Sequence, residues 1–380
     1  MPNLSEPGKK TALVLQGGGA RGAYHVGAIK AIAEITERRL SPFKIVCGAS
    51  VGAINAASIA VASNDFQAGA RHLEDLWRSL NSSSIFNTQA IPLLMTALRW
   101  AMSPIFTRLC YPTRGGLLDC EPLKLLLQRE FSRAHLRRAI RTGSLHALCI
   151  TASSYKRGEA VAFFEGAEEI KEWSRSRRRG TRTKISADHI LASAALPFAF
   201  APVRLDSGYY GDGSLRLTSP LSPAIHLGAD RILVITTRDG NTIQPSNGVA
   251  EESPSIGEMA GHVLDVLFND SLESDHERMK RINQTISLVT PEARKKSPLR
   301  AIETLLLKPS RDLRDVAKAH AKQVPWSIKF LLHSMGPKDG DGRIESYLMF
   351  EQDYIGALID LGYTDTMNYA DAIIELLRDS

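Results

Sequence analysis

The sequence predicts an α/β fold: a mostly parallel central sheet followed by a helical C-terminal stretch. Two observations lead there. First, two strand-length apolar runs near the start each end in a glycine-containing turn that opens a helix. Strand–turn–helix units in succession imply parallel strands joined by crossover helices. Second, further apolar runs of strand length recur downstream between helical patterns.

Thr11 to Gln16 (TALVLQ) reads as a buried strand ending in glycines. From Ala23 to Glu37 apolar residues fall at helical spacing (Val26, Ile29, Ile32, Ile35), so a helix follows. Phe43 to Cys47 is the second buried strand and Val51 to Ala62 a second, very apolar helix. Asp65 to Arg129 is mostly helical in pattern. His146 to Tyr155 and Ala160 to Glu165, joined by a short polar turn, read as a hairpin or edge pair.

Ile185 to Ala195 is a short helix closed by Pro197. Tyr209 to Ser214 is a strand end with a tight turn, Pro220 to Leu227 a helix, and Arg231 to Thr236 another buried strand. Asn241 to Pro254 reads as a polar, mobile loop. Ile256 to Gln284 is a long helix, and Leu288 to Thr290 and Leu305 to Lys308 are short strands. From Ser310 the pattern is helical, over Asp312 to His320, Trp326 to Ser334 and Ile344 to Leu377. The composition turns polar and charged near Pro291 to Pro298. A boundary there divides the chain into 1–290 and a mainly helical extension, 291–380, packed on it.

With 380 residues the chain can form one large domain or two smaller ones. Met1 to Lys10 is polar, and the apolar run after it is too short for a signal peptide. No stretch reaches bilayer-spanning length, so the expectation is a cytoplasmic protein. Cys47, Cys110, Cys120 and Cys149 are scattered, with no C-x-x-C pair, and read as free thiols in a reducing compartment. The formal net charge is +6, part of it in the run Arg175 to Lys184. Such a run suits anionic lipid headgroups, while the plainer reading is a solvated mobile loop. Nucleic acid is not expected, because no zinc finger, RNA-recognition signature or basic heptad segment accompanies the run.

Gly48-Ala49-Ser50-Val51-Gly52 is a G-x-S-x-G between a predicted strand and a predicted helix. That context is what a nucleophile elbow needs: a turn so tight that side chains at Gly48 and Gly52 must vanish, leaving Ser50 exposed and strained. The bare pattern is also met by a helix-opening turn with Ser50 as N-cap. Gln16-Gly17-Gly18-Gly19-Ala20-Arg21-Gly22 lies at the other strand-to-helix turn. Amides of Gly17, Gly18 and Gly19 can converge on a developing oxyanion, and Arg21 can add positive charge or meet a phosphate. The same segment satisfies the dinucleotide fingerprint G-x-G-x-x-G. A dinucleotide site wants an acid at the end of the second strand, and Ile45 to Gly48 offers none. No cofactor is therefore expected.

A serine nucleophile needs a base. His25, His72, His189 and His226 do not sit in a loop after a strand with an acid earlier in the chain. Asp212, in Tyr210-Gly211-Asp212-Gly213, does sit on such a turn, between glycines that permit close backbone approach. A carboxylate can serve as base where partial desolvation raises its pKa. Alone, Gly-Asp-Gly is an ordinary turn; three such motifs in this order are much harder to ascribe to chance.

With these motifs the chain resembles the patatin-like phospholipase family. The resemblance rests on Gly17–Gly22, on Gly48–Gly52, on Ala192 to Pro197 leading to Pro202-Val203, and on Asp212-Gly213. It covers roughly Lys10 to Thr237; Lys308-Pro309-Ser310 and Ser346-Tyr347-Leu348 also look like tails of microbial members. Ser214 stands where the family usually has Gly or Ala, a small departure. The resemblance implies a sheet covered by helices on both faces, Ser50 as nucleophile, Asp212 as base, oxyanion amides from Gly17, Gly18 and Gly19, and hydrolysis without a metal.

The substrate implied is a phospholipid or other lipid ester, met in transient peripheral contact at a membrane's inner face. An acyltransferase on the same dyad and a silent membrane-binding module are the alternatives. Nothing in the sequence sets an oligomeric state. Ala90 to Tyr111, rich in Leu, Met, Trp and Phe, reads as an apolar lid or a surface that dips into a membrane interface, or else as a helix buried on the sheet.

Overall fold

A computed structural model describes residues 9–87, 116, 118–238, 256–297, 299–324, 329 and 342–378. The first strand, β1 (Thr11–Leu15), is buried along its whole length. It lies in parallel between β2 (Ile45–Ala49) and β9 (Arg231–Ile235). Its alternate residues face opposite ways, as the period of a strand requires. Leu13 and Leu15 enter one core with Val46, Leu148 and Leu233; Ala12 and Val14 enter another with Ile45, Cys149 and Ile232. The sheet is therefore apolar on both faces, as a buried parallel sheet must be.

β3 (Ala147–Ser154) extends the parallel set beyond β2, and β10 (Glu303–Leu307) extends it beyond β9. The far side is antiparallel in part: β4 (Glu159–Gly166) returns along β3, β6 (Arg178–Arg182) runs parallel to β4, and β5 (Trp173–Arg175) pairs back on β6. A short hairpin, β7 (Val203–Leu205) and β8 (Gly208–Gly211), joins the end of β3. The order is β10-β9-β1-β2-β3-β4-β6-β5. β1 sits where the connections part to left and right. In open α/β sheets ligands bind outside the carboxyl ends of the strands at such a point.

Helices cover both faces. The first core takes in α1 (Ala23–Thr36), α2 (Val51–Val61), α3 (Phe66–Ser79) and α4 (Ser82–Ile85). It also receives α5 (Glu121–Glu130), α6 (Arg133–Arg141) and α7 (Ala187–Ala194). The second core packs beneath α8 (Ser222–His226) and α9 (Ile256–Ser287). The mostly parallel sheet between two helical layers agrees with the predicted fold class.

After α10 (Pro291–Lys296) the chain adds β10 to this sheet and continues into α11 (Leu313–His320), α12 (Arg343–Leu348), α13 (Gln352–Met367) and α14 (Ala370–Leu376). α13 packs along α1. The two helices approach closely because Gly27 faces the Ile359 carbonyl and Gly362 faces the Tyr24 carbonyl; a Cβ at either would collide. The Tyr24 hydroxyl donates to Asp365 at 3.1 Å.

Three expectations change. Leu288 to Thr290 is not a strand: α9 runs to Ser287, Leu288 is exposed, and the Thr290 side chain caps α10 with Pro291 in its first turn. Threonine as N-cap followed by proline is a helix-start signal that outranks the two apolar residues before it. Arg175 to Lys184 is largely a β-hairpin. Gly180 makes room for the Trp173 ring, which stacks between Phe164 and His226. Arg182 donates to the carbonyls of Gly166 (2.9 Å), Ala167 (2.8 Å) and Ile170 (2.6 Å). The second strand is also displaced, to Ile45–Ala49. Ala90 to Tyr111, Asn241 to Pro254 and most of Trp326 to Ser334 lie outside the described residues.

Candidate active site

At the carboxyl end of β2 the chain turns into α2 at Ser50, whose backbone is left-handed (φ 54, ψ −131). That is strained for a residue with a side chain. The turn closes because Gly48 abuts the Gly52 carbonyl, and Gly52 in turn abuts the carbonyl of Leu15 at the end of β1. The Ser50 N–H donates to Ser193 Oγ at 3.0 Å, and Ser193 Oγ donates to the Thr151 carbonyl at 2.6 Å. Ser193, on α7, thus ties the elbow to β3.

Asp212 follows β8. Its N–H donates to the Ala195 carbonyl (2.8 Å), one residue beyond α7, and its Oδ1 accepts from the Ser214 N–H (2.8 Å). The turn is pressed onto the end of the sheet: Gly213 lies against Ala49 and the Thr151 carbonyl, where a Cβ would not fit. Ser50 and Asp212 are thereby brought together, 162 positions apart in the chain. Asp212 is 1% exposed, and its Oδ2 is buried without a hydrogen-bond partner. Burial pushes its pKa up to about 6, against the pull of the neighbouring Ser50 hydroxyl and the Ser214 amide. The hydroxyl is thus near enough to be felt by the carboxyl but short of full hydrogen-bond geometry.

The glycine loop passes over the same end of β1. The Thr237 hydroxyl donates to the Gly17 carbonyl at 2.8 Å, and the Arg21 N–H to the Gly18 carbonyl at 3.1 Å. Gly19 is left-handed (φ 55) and lies against the Tyr347 carbonyl of α12. Gly17 approaches the Ser214 hydroxyl, so this loop and the acid loop touch. Among the described residues the amides of Gly17, Gly18 and Gly19 donate to no protein acceptor.

Arg21 is placed differently from the expected oxyanion or phosphate contact. It is buried, its guanidinium donates to Ser346 Oγ (2.9 and 2.6 Å) and lies 3.8 Å from Asp265, and it stacks on the Tyr347 ring at 3.9 Å. A guanidinium so held braces the glycine loop against α12 and α9.

Beside Ser50 and Gly19 opens a cavity lined by apolar side chains, among them Ile54, Trp77, Leu123, Phe200 and Phe350. Asn55 organises its wall: its amide donates to the Gly22 carbonyl (3.0 Å) and its oxygen accepts from Trp77 Nε1 (2.9 Å). Sequence reasoning missed Asn55, and met Ser193 only within a matching segment. A polar residue within the apolar run of α2 was the available signal for Asn55.

Among the described residues no histidine hydrogen-bonds Ser50 or Asp212. His25 is fully buried in α1, and desolvation lowers its pKa to about 3, so it is neutral. Among the described residues no three His, Cys, Asp or Glu side chains gather as metal ligands, and none of the helices is long and apolar enough to cross a membrane.

The model of the patatin-like phospholipase family matches residues 13–225, a span that holds both glycine motifs and Asp212. A cGAMP-activated phospholipase of Vibrio cholerae serotype O1 is 29% identical over 231 residues, 56% of this chain and 56% of that protein. The chain thus spans little more than half the length of that relative. Among solved structures, VipD from Legionella pneumophila superposes over 97% of this chain and 68% of its own, with 13% identity and a TM-score of 0.37. Human GIVD cytosolic phospholipase A2 does so over 98% and 60%, with 11% identity and a TM-score of 0.45.

Proposed function

Because the chain belongs to the patatin-like phospholipase family, we propose that it is a lipid acyl hydrolase cleaving carboxylic esters through an acyl-enzyme on Ser50, with Asp212 as base. One observation carries the reading: a buried carboxyl oxygen without a partner, on a group pushed up to about pKa 6, beside a serine in a strained elbow. A carboxylate left without a partner in a dry site is ready to accept a proton.

The ester's acyl chain lies in the apolar cavity, and its carbonyl oxygen points at the glycine loop. As Ser50 Oγ attacks the carbonyl carbon, its proton passes to Asp212. The tetrahedral oxyanion is held by loop amides, each such donor being worth about 3 kcal/mol in a transition state. When the carbon–oxygen bond to the leaving alcohol breaks, Asp212 returns the proton to that alcohol. Water then attacks the acyl-enzyme: Asp212 takes its proton, the fatty acid departs, and the proton goes back to Ser50 Oγ. Each methylene buried in the cavity contributes about 0.8 kcal/mol to acyl binding.

The test is a panel of phospholipid, lysophospholipid and neutral-ester substrates, run beside Ser50→Ala and a fluorophosphonate that labels active serines. Turnover and labelling are expected in the native protein and in neither case for Ser50→Ala. Hydrolysis that survives the substitution removes Ser50 from the chemistry.

A further inference from the structure

We propose that the end of the sheet carrying Ser50 is also a cationic face that docks on anionic lipid bilayers, formed by the β3–β4 turn, the β5–β6 turn and Arg216. This rests on the lipid-ester reading of the site, but its test does not depend on turnover.

Register puts these parts together. Thr151 is level with Ala49, the last residue of β2. β3 continues three residues further, to Ser154, so the turn at 155–158 stands about 10 Å beyond the level of Ala49. Arg178 is level with Ala160, and the Ala160 N–H donates to the Arg177 carbonyl at 3.0 Å, so the β5–β6 turn stands beside the first. Arg216, four residues after Asp212, reaches Gly158 from the acid loop: its Nη2 lies 3.9 Å from where a Cβ would stand.

Lys156, Arg157, Arg175, Arg177 and Arg216 are all exposed. The acid between the turns, Glu159, is mostly buried and paired with Arg157 (3.5 Å) and Arg179 (3.0 Å). Lys156, Arg175, Arg177 and Arg216 form no ion pair among the described residues. Four cations free of ion pairs, against the single exposed carboxylate of Asp206 in the adjoining β7–β8 turn, whose Gly208 lies beside Lys156, leave this edge, which holds Ser50 and Asp212, net positive and matched to an anionic surface.

Aromatic side chains interleave with the charges. Tyr155 and Tyr209 are 50% and 43% exposed and adjacent, the Tyr155 N–H donating to the Tyr209 carbonyl at 3.1 Å. The Tyr155 hydroxyl lies over Gly211, next to Asp212. Phe198, 77% exposed, stands three residues after Ala195, whose carbonyl holds the Asp212 amide. The two tyrosines, each with an apolar ring and a wet hydroxyl end, suit a headgroup layer. Arg177 itself is left-handed (φ 55) in its turn, a position that glycine or asparagine fills without strain.

The test uses the full chain carrying Ser50→Ala, floated with vesicles of phosphatidylcholine alone or mixed equally with phosphatidylglycerol. Binding is expected on the mixed vesicles, weakened by high salt, and slight on the neutral ones. Each cation near such a surface strengthens binding about fivefold, so adding Lys156→Gln, Arg175→Gln and Arg177→Gly together should weaken it about 100-fold. Arg177→Gly alone should lose about fivefold while its melting temperature rises, which separates docking from misfolding.

With Ser50 restored, the triple variant should cleave a soluble short-chain ester at the native rate. Binding unchanged in the triple variant, or equal on neutral and anionic vesicles, overturns the proposal. So does tighter binding to RNA than to vesicles. A rise in KM for a monomeric anionic lipid matching the loss of vesicle binding overturns it too, since the cations would then read a single headgroup. Should vesicle docking hold while no ester is cleaved, the hydrolase reading falls and the docking face stands.

Discussion

In Asp212→Asn the buried carboxyl becomes a neutral amide of the same shape. The amide oxygen can keep the 2.8 Å bond from the Ser214 N–H, and its nitrogen can turn to the Ser50 hydroxyl, filling the position where Oδ2 has no partner. The native carboxyl titrates at about 6 when folded, against 3.8 for a free aspartate. A folded pKa raised above the unfolded one means the folded state favours the protonated form. Its contribution to stability is fully present below about pH 4 and is lost as pH rises through 6.

Two pKa units are about 3 kcal/mol, so at pH 8 the variant should be the more stable by roughly that amount. With about 2.1 cal/mol/K of unfolding entropy per residue, the whole chain shifts by about 4 °C. Thermal melts at pH 8 and pH 4 should show that gain and its disappearance. Esterase activity should fall about 10³-fold, the scale of a lost general base. In the native protein kcat/KM should decline below about pH 6, because in the proposed reaction only the deprotonated carboxyl accepts the serine proton. A variant less stable than the native protein at pH 8 would refute the picture of a desolvated carboxylate held ready for a proton.

Ser50→Gly removes the proposed nucleophile and relieves the left-handed backbone (φ 54); calorimetry should show a gain of about 1 kcal/mol alongside abolished turnover. Ser193→Ala leaves the Ser50 N–H and the Thr151 carbonyl without their shared partner. It should cost about 1–3 kcal/mol in denaturant melts, and kcat should fall more than KM rises, since the elbow loses its tie; Ser193→Thr, which restores the hydroxyl, should recover part of it.

Parallel strands were legible because burial on both faces leaves short unbroken apolar runs, as in Thr11–Leu15 and Arg231–Ile235. The edge was not. In β5–β6 only Trp173 and Gly180 betray a packed face, and the arginines that dominate the composition point out, pair with Glu159 as Arg179 does, or, like Arg182, satisfy carbonyls of the β4–β5 connection. Leu288 to Thr290 misled for the opposite reason: its apolar character is real but exposed, and the polar cap at Thr290 decides the local structure.

The site divides along the same physical line. Ser50 and the glycines were legible because a tight turn leaves its mark in consecutive positions. What holds them was not, because the partners are remote: Arg21 meets Ser346 across 325 positions and Ser50 meets Ser193 across 143. The raised pKa of Asp212 is still less local. It comes from Gly213 fitting against Ala49 and from Ala195 holding the Asp212 amide, which together bury one carboxyl oxygen and supply nothing to bond it. A larger residue at 213 would lift the acid loop off the sheet, admit water to Asp212, lower its pKa toward the free value and weaken it as a base. The glycine after the aspartate therefore shapes the proton affinity of the site together with the aspartate, through space that only the folded chain defines.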